Sequence, residues 1–356
     1  MIDLDFWYGR KVFLTGHTGF KGSWLSLWLA SLGARVTGYA LEPPTDPAMF
    51  YIAGVQSTLD KSLLGDVRDE HGLASAMQMV EPEIVIHMAA QSLVQESYAD
   101  PVETYSTNIM GTVNVLEAVR NTPSVVAVLN VTSDKCYENR EQQKSFGENS
   151  PMGGHDPYSS SKGCAELVSS AYRRSFLRER NVGLATARAG NVLGGGDWAK
   201  DRIIPDAIRA FVRDEPFLVR NPLAVRPWQH VLEPLAGYLV LCQKLYSNPI
   251  SFDGGWNFGP GADNERPVST LADTLVMKWS NGVIWRAKDL KRPHEASQLG
   301  LDSSKARALL DWRSVWDLER VLTETVNWYQ RWHTQGDMHQ FTLKQINNYQ
   351  CEKLGE

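Results

Sequence analysis

Lys11-Val12-Phe13-Leu14 runs directly into Thr15-Gly16-His17-Thr18-Gly19-Phe20-Lys21-Gly22, and that join decides the fold. The first run reads as a strand. The second spaces its glycines three and three apart and leads into residues 22–32, which read as a helix. Strand, glycine turn and helix in this order make a seat for a dinucleotide pyrophosphate. Bare backbone at Gly16 and Gly19 lets phosphates approach the helix N-terminus, where free N–H groups and the helix dipole favour anions. Gly22 lets the helix pack closely on the sheet. The alternative is an ordinary glycine-rich turn, and the order of the elements argues against it.

Outward from this point the chain alternates. Strands are predicted at 35–39, 62–64, 84–87, 125–131 and 183–187, and helices at 69–80, 102–120 and 158–180. Residues 42–60 read as a proline-marked loop, and 139–157 as a long polar loop suited to a substrate-side flap. The pattern predicts an α/β fold: a Rossmann-type doubly wound parallel sheet with a smaller, mixed α/β C-terminal substrate domain. Beyond residue 190 glycine and proline breaks recur, and nine of the twelve tryptophans lie there. The expected division is 1–189, with 228–258 returning to it, against 190–227 and 259–335. Residues 336–356 read as a polar tail with no assigned role.

Bulk properties narrow the class. A net charge of -5 over 356 residues argues against a nucleic-acid partner. The four cysteines are widely spaced, which fits free thiols in a reducing compartment. The eight histidines form no pair at metal-ligand spacing, so no metal is expected. The chain has no long apolar run, and its first ten residues carry acids and aromatics rather than a signal sequence. No membrane association and a cytoplasmic location are the expectations.

Chemistry gathers at two segments. Thr132-Ser133-Asp134-Lys135 ends the strand at 125–131, and Tyr158-Ser159-Ser160-Ser161-Lys162 opens a helix. Lys162 lies one turn after Tyr158 on the same helical face, placed to draw the phenol below its ordinary value of ~10. Such a pair moves a proton off a hydroxyl while a hydride leaves the same carbon. A tyrosine and lysine at this spacing also occur on plain surface helices. Their position after Ser133 and the glycine turn favours a site.

Asp66-Val67, after the short strand at 62–64, offers a carboxylate for an adenine amino group. Asp66 is equally placed to cap the next helix, and Asp69 can serve as cap instead. Met88-Ala89-Ala90-Gln91-Ser92 follows the strand at 84–87, where small residues suit either a ribose or close packing. The strand end Tyr39-Ala40-Leu41 has neither an acid for an adenosine ribose nor an arginine for a 2′-phosphate. NAD is the expected cofactor. Downstream, Arg188, Asn191, Arg202, Arg226, Trp228, His230, Arg292 and His294 lie in turn-rich stretches. Arginine forks there can hold phosphates or simply face solvent.

Together residues 15–22, Asp66-Val67, 87–90, Ser133-Asp134, Tyr158 with Lys162, and 188–191 resemble the extended short-chain dehydrogenase/reductase family. Within it they look most like the nucleotide-sugar 4,6-dehydratases, over nearly the whole chain. The stretches 131–139, 190–198 and 226–230 are similar to the branch that acts on CDP-glucose. There Asp134-Lys135 replaces the common Asp-Glu pair.

The resemblance implies that Tyr158, aided by Lys162 and Ser133, removes the carbon 4 hydroxyl proton, and that Asp134 is the acid at carbon 6. Lys135 is either the base at carbon 5 or an electrostatic partner. It implies that residues 15–22, Asp66, Val67, Met88, Ala89, Ala90, Thr132, Tyr158, Lys162 and Arg188 bind the cofactor. Gln91, Ser92, Ser133, Asn191, Arg202, Arg226, Trp228, His230, Arg292 and His294 would bind substrate. It also implies a homodimer through a four-helix bundle, or a tetramer, and a place in making dideoxysugars of bacterial surface polysaccharide. A 4-epimerase of the same family is the rival reading, but it has no use for Asp134 as an acid. A cofactor-sensing binding protein would not need Tyr158.

Overall fold

The computed structural model describes residues 2–139, 145–280, 282–288 and 300–354. Seven strands form one sheet, β1 (Lys11–Thr15), β2 (Arg35–Ala40), β3 (Lys61–Leu64), β4 (Ile84–His87), β5 (Ala127–Val131), β6 (Gly183–Ala189) and β7 (Gly254–Phe258). Their spatial order is β7-β6-β5-β4-β1-β2-β3, and every neighbouring pair is parallel. The strand order reverses between β1 and β4. A ligand seat is expected there, beyond the carboxyl ends of the strands.

The sheet is buried on both faces, so its strands are apolar throughout and alternate between two cores. Val12, Leu14, Ile84, Ile86, Ala127 and Leu129 pack into one core, and Phe13, Val85 and Val128 into the other. The longer helices include α1 (Phe20–Ser31), α2 (Glu70–Val80), α3 (Gly111–Arg120), α4 (Pro157–Tyr172), α5 (Ile203–Val212), α6 (Leu232–Ser247), α7 (Leu318–His333) and α8 (Met338–Leu354). Three short two-stranded pairs, formed outside the main sheet, connect the segments between β6 and α7.

The structure departs from the sequence expectations in several places. The long helix at 102–120 comprises Pro101–Tyr105, a π-helical segment Ser106–Met110, and α3. The helix at 158–180 likewise closes in a π-helical segment, Arg173–Leu177. The loop at 42–60 contains helical turns at Met49–Ile52 and Val55–Thr58, whose Met49, Phe50 and Val55 are buried. The flap at 139–157 is anchored where it is described. Phe146 is buried, stacks on Tyr137 at 5.1 Å, and bridges to Leu301. Of the apolar helix positions that fitted either a core or an interface, Val115, Leu116 and Val119 are core, whereas Leu167 is 61% exposed.

The polar tail is α8. Its composition hides a buried stripe of Met338, Thr342, Gln345, Ile346 and Tyr349. Polar members of that stripe find partners: Gln345 donates to the Glu324 carbonyl and carboxylate, and the Tyr349 hydroxyl to Glu233 at 2.6 Å. Glu233 itself has no exposed surface and also accepts the Val315 and Trp316 backbone N–H groups. Replacing Ile346 by Ala should therefore destabilise the protein by about 3 kcal/mol, the usual range for emptying a buried aliphatic site. Urea denaturation followed by tryptophan fluorescence reads this. An unshifted midpoint would mean that α8 contributes nothing to the fold.

Candidate active site

The glycine turn fits a dinucleotide. Gly16 has φ +78°, and a Cβ there would lie 2.7 Å from the Ala89 amide nitrogen. A Cβ at Gly22 would fall 2.1 Å from the Gly16 carbonyl oxygen. Only hydrogen fits at either position, so β1, α1 and the segment after β4 close on one another. Gly19 is the N-cap of α1, has no side-chain capping bond, and is followed by no acid in the first turn. The dipole of α1 therefore faces a seat suited to phosphate.

Hydrogen bonds carry this turn across to α4, the helix of Tyr158 and Lys162. The Thr15 hydroxyl accepts the Met88 and Ala89 N–H groups, both at 3.1 Å. Its one proton then goes to His87 Nδ1, at 2.7 Å. Burial holds His87 neutral, with its imidazolium pulled down to about 3, so the remaining proton sits on Nε2. That group faces the Thr112 hydroxyl at 3.3 Å, whose own proton goes to the Asn108 carbonyl. Asn108 in turn holds Gln91 through both backbone groups and donates to Ser161 Oγ at 2.8 Å. Sequence reasoning missed Asn108 and Thr112. Both sit in a stretch rich in polar residues, Glu103 to Thr112, where nothing local singles them out.

Ser133, Asp134, Tyr158 and Lys162 are all buried; the first three converge, and Lys162 reaches the end of the same strand. Asp156 caps α4 through the Ser159 N–H at 2.9 Å and so fixes the first turn, which bears Tyr158. Ser133 donates to Asp134 at 2.9 Å and accepts the Lys135 N–H. Burial raises the Asp134 carboxyl above its ordinary range, against the pull of Lys135, Ser133, Arg226 and Lys21. Burial thus favours the neutral, proton-bearing form of this carboxyl.

The expectation that Lys162 draws the Tyr158 phenol down is not met in this structure. Burial pushes the phenol up to about 12, with the Ser133 hydroxyl pulling the other way. Burial also pulls the Lys162 ammonium down to about 8, and its Nζ donates to the Val131 carbonyl at 3.2 Å. Desolvation opposes the charged form of both groups.

The other predicted residues divide. Arg202 ion-pairs with Asp197 at 3.0 Å, donates to Ser92 Oγ, and lies within electrostatic reach of Tyr158. Arg226 acts on Asp134, and a Cβ at Gly190, beside Asn191, would come 3.0 Å from the Asp134 carboxylate. These residues gather around the cluster. Trp228 is buried and donates to the Arg266 carbonyl. His230 is enclosed between Trp24 and Trp316, with burial pulling it down to about 3. His17 is also enclosed, its Nε2 on Ser62 Oγ at 2.8 Å, while Thr18 donates to the Leu41 carbonyl. Asp69 caps α2, and Asp66 pairs with Arg68 at 2.5 Å. The Val67 carbonyl accepts from Asn114. Arg292 and His294 lie outside the described residues.

Arg188 is turned into the protein. Its guanidinium forks onto Glu166 at 2.6 and 2.9 Å and also donates to the Tyr137 hydroxyl and the Glu148 carbonyl. Burial opposes its charge, but Glu166 holds it firmly protonated. Glu166 also accepts the hydroxyls of Thr132 and Thr186, so the strand end that carries Ser133 is tied to α4. Glu166→Ala strands a buried guanidinium and should destabilise the protein by about 3–5 kcal/mol, with Glu166→Gln milder. Denaturation midpoints of the two variants check this. A loss for Glu166→Ala below about 1 kcal/mol, in the range of exposed pairs, would contradict the buried pair.

A family model described as GDP-mannose 4,6 dehydratase matches residues 13–325. The chain is 51% identical over 354 residues to CDP-glucose 4,6-dehydratase of Salmonella typhimurium, covering 98% of each chain. Its fold is similar to an epimerase from Methanothermobacter thermautotrophicus, with a TM-score of 0.79 at 22% identity, over 93% of this chain and 96% of that one. It is also similar to dTDP-glucose 4,6-dehydratase from Bacillus anthracis in complex with NAD, with a TM-score of 0.75 at 20% identity, over 91% and 97%.

Proposed function

The chain belongs to the GDP-mannose 4,6-dehydratase family of nucleotide-sugar dehydratases, and we propose that it converts CDP-glucose to CDP-4-keto-6-deoxyglucose and water. The choice of CDP-glucose follows the relative that is 51% identical along 98% of both chains. The observation that carries the reaction class is Asp134: a buried carboxyl, raised above its ordinary range, in the same cluster as Tyr158 and Ser133. An epimerase needs the tyrosine alone. Loss of water needs an acid as well.

Bound NAD supplies the hydride acceptor at carbon 4 and the donor back to carbon 6. The rest falls to the protein. Tyr158 takes the carbon 4 hydroxyl proton, which requires positive charge near the phenol; Arg202 supplies it, and Lys162 stands one helical turn away. Ser133 orients the hydroxyl between the phenol and Asp134. The carbon 4 ketone acidifies the hydrogen on carbon 5. Asp134 then protonates the departing carbon 6 hydroxyl. Lys135, adjacent to Asp134, acts in this elimination, either by taking the carbon 5 proton or by stabilising the enolate. Gln91, Ser92, Arg202, Arg226 and Asn191 line the substrate side.

A homodimer through α3, its preceding turns and α4 completes the proposal. That face exposes Val102, Met110, Leu167 and Phe176, at 76%, 50%, 61% and 41%. A place in the supply of dideoxysugars for bacterial surface polysaccharide fits the product.

A variant series separates the steps. Tyr158→Phe should abolish formation of reduced cofactor on mixing with CDP-glucose, because the base is gone and the ring is kept. Asp134→Asn should still oxidise carbon 4 but stall before water leaves, with turnover down at least about a hundredfold. Lys135→Met should slow exchange of the carbon 5 hydrogen with solvent deuterium while carbon 4 oxidation survives. Rapid-mixing absorbance and product NMR read all three. Near-wild-type turnover by either Tyr158→Phe or Asp134→Asn would overturn the assignment of that residue.

A further inference from the structure

Lys21 is a half-buried cation at the active site that the reaction set out above does not use. It is the second residue of α1, carried by the glycine turn. Its ammonium lies 5.8 Å from the ring centroid of Tyr238, a fully buried residue of α6. The Tyr238 hydroxyl has no hydrogen-bond partner among the described residues. Lys162 of α4, Arg202 at the N-cap of α5 and Asp134 after β5 all act electrostatically on Lys21. Tyr158 and Asp134 act in the same way on Tyr238. Three cations thus share one region, which also holds an unpartnered phenol, in keeping with a polar ligand.

The geometry says what passes through this region. A dinucleotide with its pyrophosphate on the Gly19 turn must bring its reactive ring to a sugar held by Tyr158. It therefore runs from the start of α1 toward Lys162, and Lys21 extends along the same path. The oxidised nicotinamide ring is positively charged and the reduced ring is neutral. A fixed positive charge in a poorly screened site disfavours the first and leaves the second untouched. Burial, with help from Arg202 and Lys162 and against Asp134, pulls the Lys21 ammonium down to about 8, so most of it is charged at neutral pH.

We infer, resting on the NAD reading above, that Lys21 biases the bound cofactor toward its reduced form and so favours oxidation of the sugar at carbon 4. Equilibrium binding tests this without turnover. The full-length protein and its Lys21→Met, Lys21→Gln and Lys21→Arg variants are titrated separately with NAD and NADH at neutral pH, by calorimetry or tryptophan fluorescence. Both neutral variants should gain affinity for NAD relative to NADH by about tenfold, and Lys21→Arg should keep the wild-type ratio. An unchanged ratio with both affinities weakened would assign Lys21 to the pyrophosphate and overturn the inference. So would a ratio that moves in the opposite sense. Failure of the wild-type protein to bind either form would instead overturn the NAD reading, and this inference with it.

Discussion

Everything at this site depends on one run of hydrogen bonds, Thr15 to His87 to Thr112 to Asn108 to Ser161. It starts on the strand that feeds the glycine turn and ends on the helix that carries Tyr158 and Lys162. Because burial keeps His87 neutral, each proton along the run has one place to go. Buried polar groups are costly unless satisfied, and satisfied networks are rigid. The π-helical segment Ser106–Met110 belongs to the same device, since it presents the side chain and carbonyl of Asn108 to three partners at once. The glycine turn and the first turn of α4 are thus fixed relative to each other.

A second buried network, around Glu166 and Arg188, supports the other side of the site. It ties Thr132 just after β5 and Thr186 on β6 to α4, one turn beyond Lys162. Between the two networks the proposed catalytic groups lie in a buried, cation-rich region. Burial there raises Asp134 and Tyr158 and lowers Lys162 and Lys21. Desolvation pushes all four groups toward their neutral forms. That suits a reaction in which a charge-carrying cofactor ring is reduced and reoxidised within one turnover.

Much of this was legible in the chain. Residues 11–22 identify β1, the turn and α1 because strand, glycine spacing and helix follow from local backbone chemistry. The parallel sheet follows from alternation, and Ser133, Asp134, Tyr158 and Lys162 from position after β5 and at the start of α4. What the chain did not show depends on partners distant in sequence. The Arg188 guanidinium, expected at the cofactor, is held by Glu166. His230, expected at the substrate, stands between Trp24 and Trp316. The segment 336–356 looked like a polar tail because its buried members include Thr342 and Gln345, whose partners only the fold supplies. The effect of Lys162 on Tyr158 was inferred from helical spacing, which sets distance and says nothing of desolvation.

The central claim is that one site oxidises carbon 4, expels water and returns the same hydride to carbon 6. CDP-glucose bearing deuterium at carbon 4 tests it directly, with the product analysed by NMR and mass spectrometry. The account predicts 4-keto-6-deoxy product with the deuterium on carbon 6. Deuterium returned to carbon 4 of an inverted sugar, or absent from the 6-deoxy product altogether, would contradict it.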